Sequence, residues 1–377
     1  MQIKTKEFQD IANKILLATS LDKNAGNLEL KTKGNELYLN VTNKEFFVSI
    51  KFQLEKEEEL HATVDASLFL SLIAGLTTET FNLGVKDNAV TIGSGKSSYK
   101  IAMIYDNDKL MTLAPIVIVN KTVEMDISKS ILDSILNVNS KELAKVKGVA
   151  DLNPLFELYY IDESGCFTFN TGACLNAFEL EKPVKLLLNE RIVKLFKLFK
   201  EDVHFTLGQD PLSNGTTRTK MVLETENTYL AAIITCDDAL ISQVQGPCTA
   251  TKRWIKEPYP YHLVISSTEL KEAINRLLLF NKGDSDKTNK RFIPMKANIT
   301  PDEFTITDSL GNTEAVTVEN GSFMEGEYEM PINIIDFKLV VDSCKNEHLT
   351  LNCGNKRSIV ITRGAISNLI PEARPKK

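Results

Sequence analysis

The sequence holds no apolar run approaching the roughly 18 residues that a membrane-spanning helix needs. Its longest apolar patches, such as Leu277-Leu278-Leu279-Phe280, amount to one helical turn. The opening stretch, MQIKTKEFQD, is polar and lacks an apolar h-region, so no secretory leader is expected there. Cysteine is sparse: six residues, at 166, 174, 236, 248, 344 and 353, with no C-x-x-C pair among them. That spacing offers no thiolate metal site and argues against a disulfide framework, leaving buried, reduced thiols as the expectation. Histidine is scarcer still, at His61, His204, His262 and His348, and no H-x-x-x-H or H-E-x-x-H arrangement occurs. Metal-hydrolase chemistry therefore has no ligands to work with. A G-x-S-x-G nucleophile elbow is also missing. These absences point to a cytoplasmic protein with no membrane segment, no cofactor and no catalytic constellation.

What is present describes a globular chain. At 377 residues, 43% hydrophobic and 25% charged, it is too rich in apolar residues to be disordered by composition. At roughly 100–200 residues per domain, two to four domains are expected. The net charge of −6 argues against nucleic acid as a partner, unless basic residues are gathered on one face.

One motif invites an enzymatic reading and fails on context. Gly93-Ser94-Gly95-Lys96-Ser97-Ser98 looks like the end of a phosphate-binding loop, but Val90 stands where the first glycine belongs. The residues that follow, Tyr99-Lys100-Ile101-Ala102-Met103-Ile104, alternate as a strand, where the motif requires a helix N-terminus. A loop between strands is the expectation. Asp237-Asp238, the one Asp-Asp doublet, reads as a solvated turn, and Glu55–Glu59 as a polar loop.

The chain repeats its pattern three times: strand, helix, several alternating strands, second helix, closing strands. In the first unit Thr5 is the expected N-cap of a helix with Phe8, Ile11, Ala12, Ile15 and Leu16 on one face, and Asp65 caps a second helix. Asp87-Asn88 then marks a tight hairpin. In the second unit Ser128 caps a helix carrying Ile131, Leu132, Ile135 and Leu136, and Asn189 caps one expected to run to about Lys200. In the third, Ser266 and Glu269 form an S-x-x-E capping box before Leu270, Ala273, Ile274, Leu277 and Leu278, and Pro331 is expected to open the last helix. The separation between first and second helix is about 60 residues each time. Tyr105–Asn120 and Gln243–Tyr261, the latter with Pro247, Pro258 and Pro260, read as linkers. The expected domains are residues 1–120, 121–251 and 252–377.

Basic residues are concentrated on particular helices. The stretch N-E-R-I-V-K-L-F-K-L-F-K sets Arg191, Lys194, Lys197 and Lys200 against a core face of Ile192, Leu195, Phe196 and Phe199. Lys6 and Lys14 flank the stripe of the first helix, and Lys271 and Arg276 that of the third unit. Such faces suit contact with a phosphate backbone without base readout.

The repeat order, together with M-x-I-x-T-x-E-F at the start, A-T-V-D-A-S-L-F-L-S-L-I at Ala62–Ile73, S-Y-K-I at Ser98–Ile101, F-N-T-G-A-C-L at Phe169–Leu175 and N-L-I-P at Asn368–Pro371, resembles the bacterial DNA polymerase III beta sliding clamp over essentially the whole chain. The resemblance implies an α+β fold of three tandem DNA-clamp (processivity fold) units, helices inside and sheets outside, closed as a head-to-tail homodimeric ring. It implies a processivity factor that encircles duplex DNA without sequence preference and meets DNA polymerase and a clamp loader through short apolar peptide motifs. By the same resemblance Tyr99, Ile101, Leu278 and Leu279 would form the dimer interface. The partner-peptide cleft would hold Thr171, Gly172, Leu175, Leu240, Val244, Ser358, Leu369, Ile370 and Pro371. Two departures stand out. The family's T-D-G-H-R-L reads N-T-G-A-C-L here, and its short Met-Pro-Met-Arg-Leu-like ending is replaced by Pro371-Glu372-Ala373-Arg374-Pro375-Lys376-Lys377. The alternative is a non-catalytic structural or interaction protein that keeps the repeat without encircling DNA.

Overall fold

The computed structural model describes residues 1–22, 25–138, 155, 158–169, 172–212, 216–235, 238–280, 293–323, 326–344 and 347–373. The first repeat comprises β1 (Gln2–Lys4), α1 (Thr5–Leu21), β2 (Asn27–Lys33), β3 (Glu36–Thr42), β4 (Phe46–Gln53), β5 (His61–Asp65), α2 (Ala66–Ala74), β6 (Thr80–Lys86), β7 (Ala89–Ser94) and β8 (Ser97–Ala102). A small hairpin of β9 (Tyr105–Asp106) and β10 (Lys109–Leu110) follows. The second repeat comprises β11 (Lys121–Ile127), α3 (Lys129–Asn137), β12 (Leu158–Asp162), β13 (Gly165–Phe169), β14 (Ala173–Ala177), β15 (Lys185–Asn189), α4 (Glu190–Leu195), β16 (Val203–Pro211), β17 (Thr217–Glu224) and β18 (Thr228–Ile234). After α5 (Asp238–Ile255) the third comprises β19 (Tyr261–Ser266), α6 (Ser267–Phe280), β20 (Pro294–Ile299), β21 (Glu303–Thr307), β22 (Thr313–Phe323), β23 (Tyr328–Asn333), α7 (Ile334–Asp342), β24 (His348–Cys353), β25 (Ser358–Arg363) and β26 (Ile366–Pro371).

Strand order repeats with element order. The opening strand of each repeat pairs with the first of its three closing strands, giving β1-β6-β7-β8, β11-β16-β17-β18 and β19-β24-β25-β26. The middle strands run β4-β3-β2-β5, β14-β13-β12-β15 and β22-β21-β20-β23. Two antiparallel ladders join these quartets across repeats: β18 on β4, from Thr228↔Ile50 to Ala232↔Phe46, and β14 on β26, from Ala173↔Leu369 to Asn176↔Ile366.

By packing the chain divides into two compact units: Met1–Asp133 with Arg191–Cys236, and Ser134–Glu190 with Asp237–Lys377. The first holds the four-stranded sheet and the eight-stranded sheet that β18 and β4 make continuous. Phe8 of α1 is fully buried there, its ring edge-on to Phe52, Phe81 and Phe69 at 5.3, 5.5 and 6.3 Å. A buried ring of this kind contributes roughly 1.5–3 kcal/mol through burial, with more from edge-to-face contact. The second unit holds the twelve-stranded sheet, and its core includes Leu270, Ile274 and Leu277 of α6 with Phe337 and Val340 of α7.

Local chemistry explains most element ends. The Asp65 carboxylate accepts from Leu68 N at 2.7 Å and caps α2. Asp87 and Asn88 both have positive φ, as the two-residue β6–β7 turn requires. Ser128 Oγ accepts from Ile131 N at 3.4 Å at the start of α3. Only half of the Ser266–Glu269 box forms: Glu269 N donates to Ser266 Oγ at 3.4 Å, while the Glu269 carboxylate accepts from Thr317 N. β8 follows the Gly95-Lys96 turn directly, so the glycine-rich stretch is a hairpin and no helix N-terminus faces it.

Four expectations are corrected. Thr5 is the first helical residue, and the cap position falls to Lys4, which has no capping side-chain bond. Asn333 opens α7, its side chain accepting from Ile335 N; Pro331 belongs to β23, opposite Lys296. The second helix of the second repeat stops short of Lys200: α4 tightens into a 3₁₀ turn at Phe196–Leu198, and Phe199 is already extended, because burial of both phenylalanines overrides the helical pattern. Most consequentially, Gln243–Tyr261 is largely the helix α5, and Asp238 opens it; its partner in the doublet, Asp237, lies outside the described residues.

Candidate functional site

The cleft is built within the second unit, around a cavity of about 500 Å³. The β13–β14 hairpin contributes Phe167, Phe169, Gly172 and Ala173. α5 contributes Pro247, Ala250, Thr251 and Trp254, with Glu257 just beyond its end. The β24–β25 turn and the strands beyond it add Asn355, Arg357, Ser358, Leu369 and Pro371. Alternation on β13 puts Phe167 and Phe169 on one face, their rings stacked at 5.7 Å. On α5 the spacing of 247, 250 and 254 aligns three cavity-lining residues, while Ile241, Val244 and Cys248 are buried.

Polar contacts hold these walls. Lys252 Nζ donates to Asp162 Oδ2 at 2.8 Å and to Ser164 Oγ at 2.6 Å, fastening α5 to the β12–β13 hairpin. Burial of Asp162 favours its neutral form, but the bonds from Lys252 and Ser164 outweigh this and hold the carboxyl below its ordinary range. Tyr259 Oη donates to the Trp254 carbonyl at 3.0 Å and lies 3.4 Å from Ser358 Oγ, linking the end of α5 to β25. Burial raises the Tyr259 phenol, with Glu257 adding to the shift and the Ser358 contact opposing it. Burial also pushes the Cys248 thiol up to about 11 and Cys166 well above its usual value, so both stay protonated thiols at neutral pH. At Gly172 an added Cβ would fall 2.6 Å from the Leu369 carbonyl, so the hairpin approaches β26 as closely as only glycine allows.

Of the cleft residues expected from sequence, Gly172, Ser358, Leu369 and Pro371 line the cavity together. Leu175, Val244 and Ile370 are buried in packing and do not line it, and Leu240 is half-buried near the start of α5. Thr171 lies outside the described residues. Trp254, Pro247, Ala250, Phe167 and Arg357 were missed. The helical spacing of Ile241, Val244 and Cys248 was the available signal, hidden by reading Pro247 as a linker residue.

The basic residues divide by partner. In the first unit Lys6, Lys197 and Lys200 are exposed and Lys194 is half-buried. Burial lowers the Lys14 ammonium's proton affinity, and the nearby Lys200 charge lowers it further, so α1 and the segment after α4 bring two cations together. Arg191 is committed elsewhere, 3.0 Å from both Asp22 and Glu45. In the second unit Arg276 makes a two-pronged contact with Glu314 at 2.9 and 2.8 Å, and Lys271 lies 3.7 Å from Asp342.

Among the described last strands and third middle strands, the two kinds that join repeats, two keep an unpaired edge. β8 pairs only with β7, and Thr313–Thr317 of β22 pair only with β21. On β8 Tyr99 is exposed while Ile101 is buried in its own unit, so Ile101 offers its backbone to that edge. At the end of α6, Leu278 packs partly on the core, and Leu279 and Phe280 are each 58% exposed. No described helix is long and apolar enough to cross a membrane.

No protein-family profile and no curated protein matches the sequence. Solved structures do. The chain is similar to the DNA polymerase III subunit beta from Pseudomonas aeruginosa, at TM-score 0.73 and 14% identity, with 100% of each chain covered. It is similar to the beta subunit from DNA polymerase of Streptococcus pyogenes, at TM-score 0.76 and 14% identity over 99% of each chain. It is likewise similar to the DNA polymerase III beta subunit from Thermotoga maritima, at TM-score 0.71 and 17% identity, covering 100% of this chain and 99% of that one. The fold of this chain, end to end, is that of the DNA polymerase III beta-subunit sliding clamps, in a sequence no more than 17% identical to these three.

Proposed function

We propose that the protein is a DNA sliding clamp, which encircles duplex DNA and tethers a polymerase and other replication and repair proteins to it without itself catalysing a reaction. The observation that carries this is the rule by which repeats join. Both internal junctions pair the last strand of one repeat with the third middle strand of the preceding one, β18 on β4 and β26 on β14. Of these two kinds of strand, one of each keeps an unpaired edge: β8, a last strand, and β22, a third middle strand along Thr313–Thr317. A second copy fills both at once, head to tail, and a heterologous contact of this kind closes when its rotation fits. Six repeats then form a ring. Leu279 and Phe280 at the end of α6, which packs against β22, supply exposed apolar area for that junction, and Tyr99 of β8 supplies it on the other side.

Residues 1–120, 121–251 and 252–377 are the three clamp domains of this proposal, the second boundary falling inside α5. Lys6, Lys14, Lys194, Lys197 and Lys200 supply sequence-independent contact with phosphate. The cleft takes a short apolar peptide from a polymerase or clamp loader, and the protein works in the cytoplasm. Light scattering coupled to size exclusion tests the ring: a mass near twice 42.1 kDa, with retention on nicked circular but not linear DNA, is expected. A monomer that treats both DNAs alike would reject it.

A second reading, an interaction protein that keeps the fold without encircling DNA, is favoured by Arg191, Lys271 and Arg276, which already face carboxylates. That protein would bind peptide in the cleft and show no difference between circular and linear DNA.

A further inference from the structure

The cleft carries two charges that the protein leaves unanswered. Arg357 and Glu257 both line the cavity, on different walls, and among the described residues neither takes part in an ion pair. Three other charges in the same unit are neutralised, Lys252 by Asp162, Arg276 by Glu314 and Lys338 by Asp342. The position of Arg357 is also strongly determined. Gly354 has φ +103°, Lys356 has φ +58°, and the Asn355 side chain accepts from the backbone N–H of both Arg357 and Ser358, at 3.0 and 2.9 Å. A left-handed lysine is a conformation that a turn keeps only when its surroundings enforce it. Here that turn sets an exposed arginine at the lip of a pocket lined by Trp254, Phe167 and Phe169.

Resting on the reading of this cavity as a peptide-docking cleft, we propose that its occupant is a dipolar peptide segment of a partner protein. One or two large apolar side chains enter between the aromatic residues, an acidic side chain meets Arg357, and a basic side chain meets Glu257. Charge complementarity selects this occupant. An uncharged apolar peptide leaves both rim charges beside a filled, drier cleft, whereas opposite charges flanking the anchor answer both. Arginine suits the acidic partner because its planar fork takes a carboxylate by two bonds. The altered T-G-A-C-L stretch fits the same picture: Ala173 and Cys174 present no charge, so ionic selection falls to Arg357 and Glu257.

The test uses the full chain and fluorescein-labelled peptides of one length sharing a Leu-Phe core. They carry Asp before and Lys after the core, the reverse order, Asp alone, Lys alone, or no charge. In one of the two orders the dipolar peptide is expected to bind ~5- to 20-fold tighter than the uncharged one at low salt, from two rim pairs of modest strength. Arg357→Gln should abolish the contribution of Asp, Glu257→Gln that of Lys, and Arg357→Glu should prefer a peptide with Lys in the place of Asp. Arg357 is exposed, so an unchanged melting temperature in Arg357→Gln accompanies the first result. Equal affinity for charged and uncharged peptides, or selectivity surviving both substitutions, would overturn the dipolar proposal while leaving the cleft intact. Binding of no peptide at any concentration, or binding that appears only on dilution because a second copy holds the cavity, would overturn the cleft reading with it.

Discussion

The Lys252 ammonium lies 2.8 Å from the Asp162 carboxylate and fastens the helix that carries Trp254 to a hairpin on another side of the cleft. Both side chains are largely buried, so removing one strands the other. Lys252→Met is expected to destabilise the protein by ~1–3 kcal/mol and to weaken peptide binding through a loosened wall. Urea denaturation and a peptide titration measure the two effects.

The same pair makes stability depend on acid. Asp162 is held below its ordinary value of 3.8 in the folded protein, so its contribution is complete above that pH and is lost as pH falls through the lower folded value. Wild-type stability should therefore fall more steeply below pH 4 than that of Lys252→Met, as read from urea midpoints across pH 2.5–5.

Glu372 behaves in the opposite sense. Burial raises its carboxyl above 4.5, against the opposing effects of the Tyr328 hydroxyl and Lys356. A raised folded value makes the ionised form a burden: the contribution is most favourable below the unfolded value and is lost as pH rises through the folded one. Glu372→Gln, which can still accept from Tyr328 Oη, should raise the melting temperature slightly at pH 7, by ~2 °C at most, and give no gain at pH 4.

Gly354 tolerates no side chain. Its φ is +103°, and an added Cβ would lie 2.5 Å from Tyr261 Cδ2, a ring stacked on Tyr328. Gly354→Ala is expected to lower stability by ~2–4 kcal/mol, from strain and displacement of a packed ring. Calorimetry of the two proteins checks this.

Among the basic residues, loss of charge should separate two roles. Lys197→Glu with Lys200→Glu should shorten retention on circular DNA and flatten its salt dependence, by a slope of ~0.9 for each phosphate contact removed. Arg191→Gln should instead lower stability by ~1 kcal/mol while leaving retention little changed, because its partners are Asp22 and Glu45. Retention half-lives against salt, beside denaturation curves, distinguish them.

Much of this architecture can be read from single residues. Asp65 and Ser128 announce helix starts because a short side-chain oxygen suits an unfilled N–H, and Asp87-Asn88 announces a turn because these residues tolerate positive φ. What escaped was decided at a distance. Nothing local to β4 says that β18 will lie beside it, since that ladder joins residues about 180 apart. Helix α5 was obscured by Pro247, whose missing N–H cannot serve the Gln243 carbonyl; the burial of Ile241, Val244, Cys248 and Thr251 outweighs that loss. Four of the cleft residues were legible through local resemblance, but the wall that α5 supplies was not.

Trp254 is the only tryptophan in the chain, and it stands in the wall of the cleft. Excited at the red edge of aromatic absorption, this protein therefore emits from one place. On the peptide-cleft proposal, an apolar side chain arriving beside that indole would replace water and shift its emission, while events at β8, β22 or the basic helices would leave the emission unchanged. The molecule thus carries an unlabelled optical probe in the wall of its cavity, one that would report each candidate partner in a separate titration.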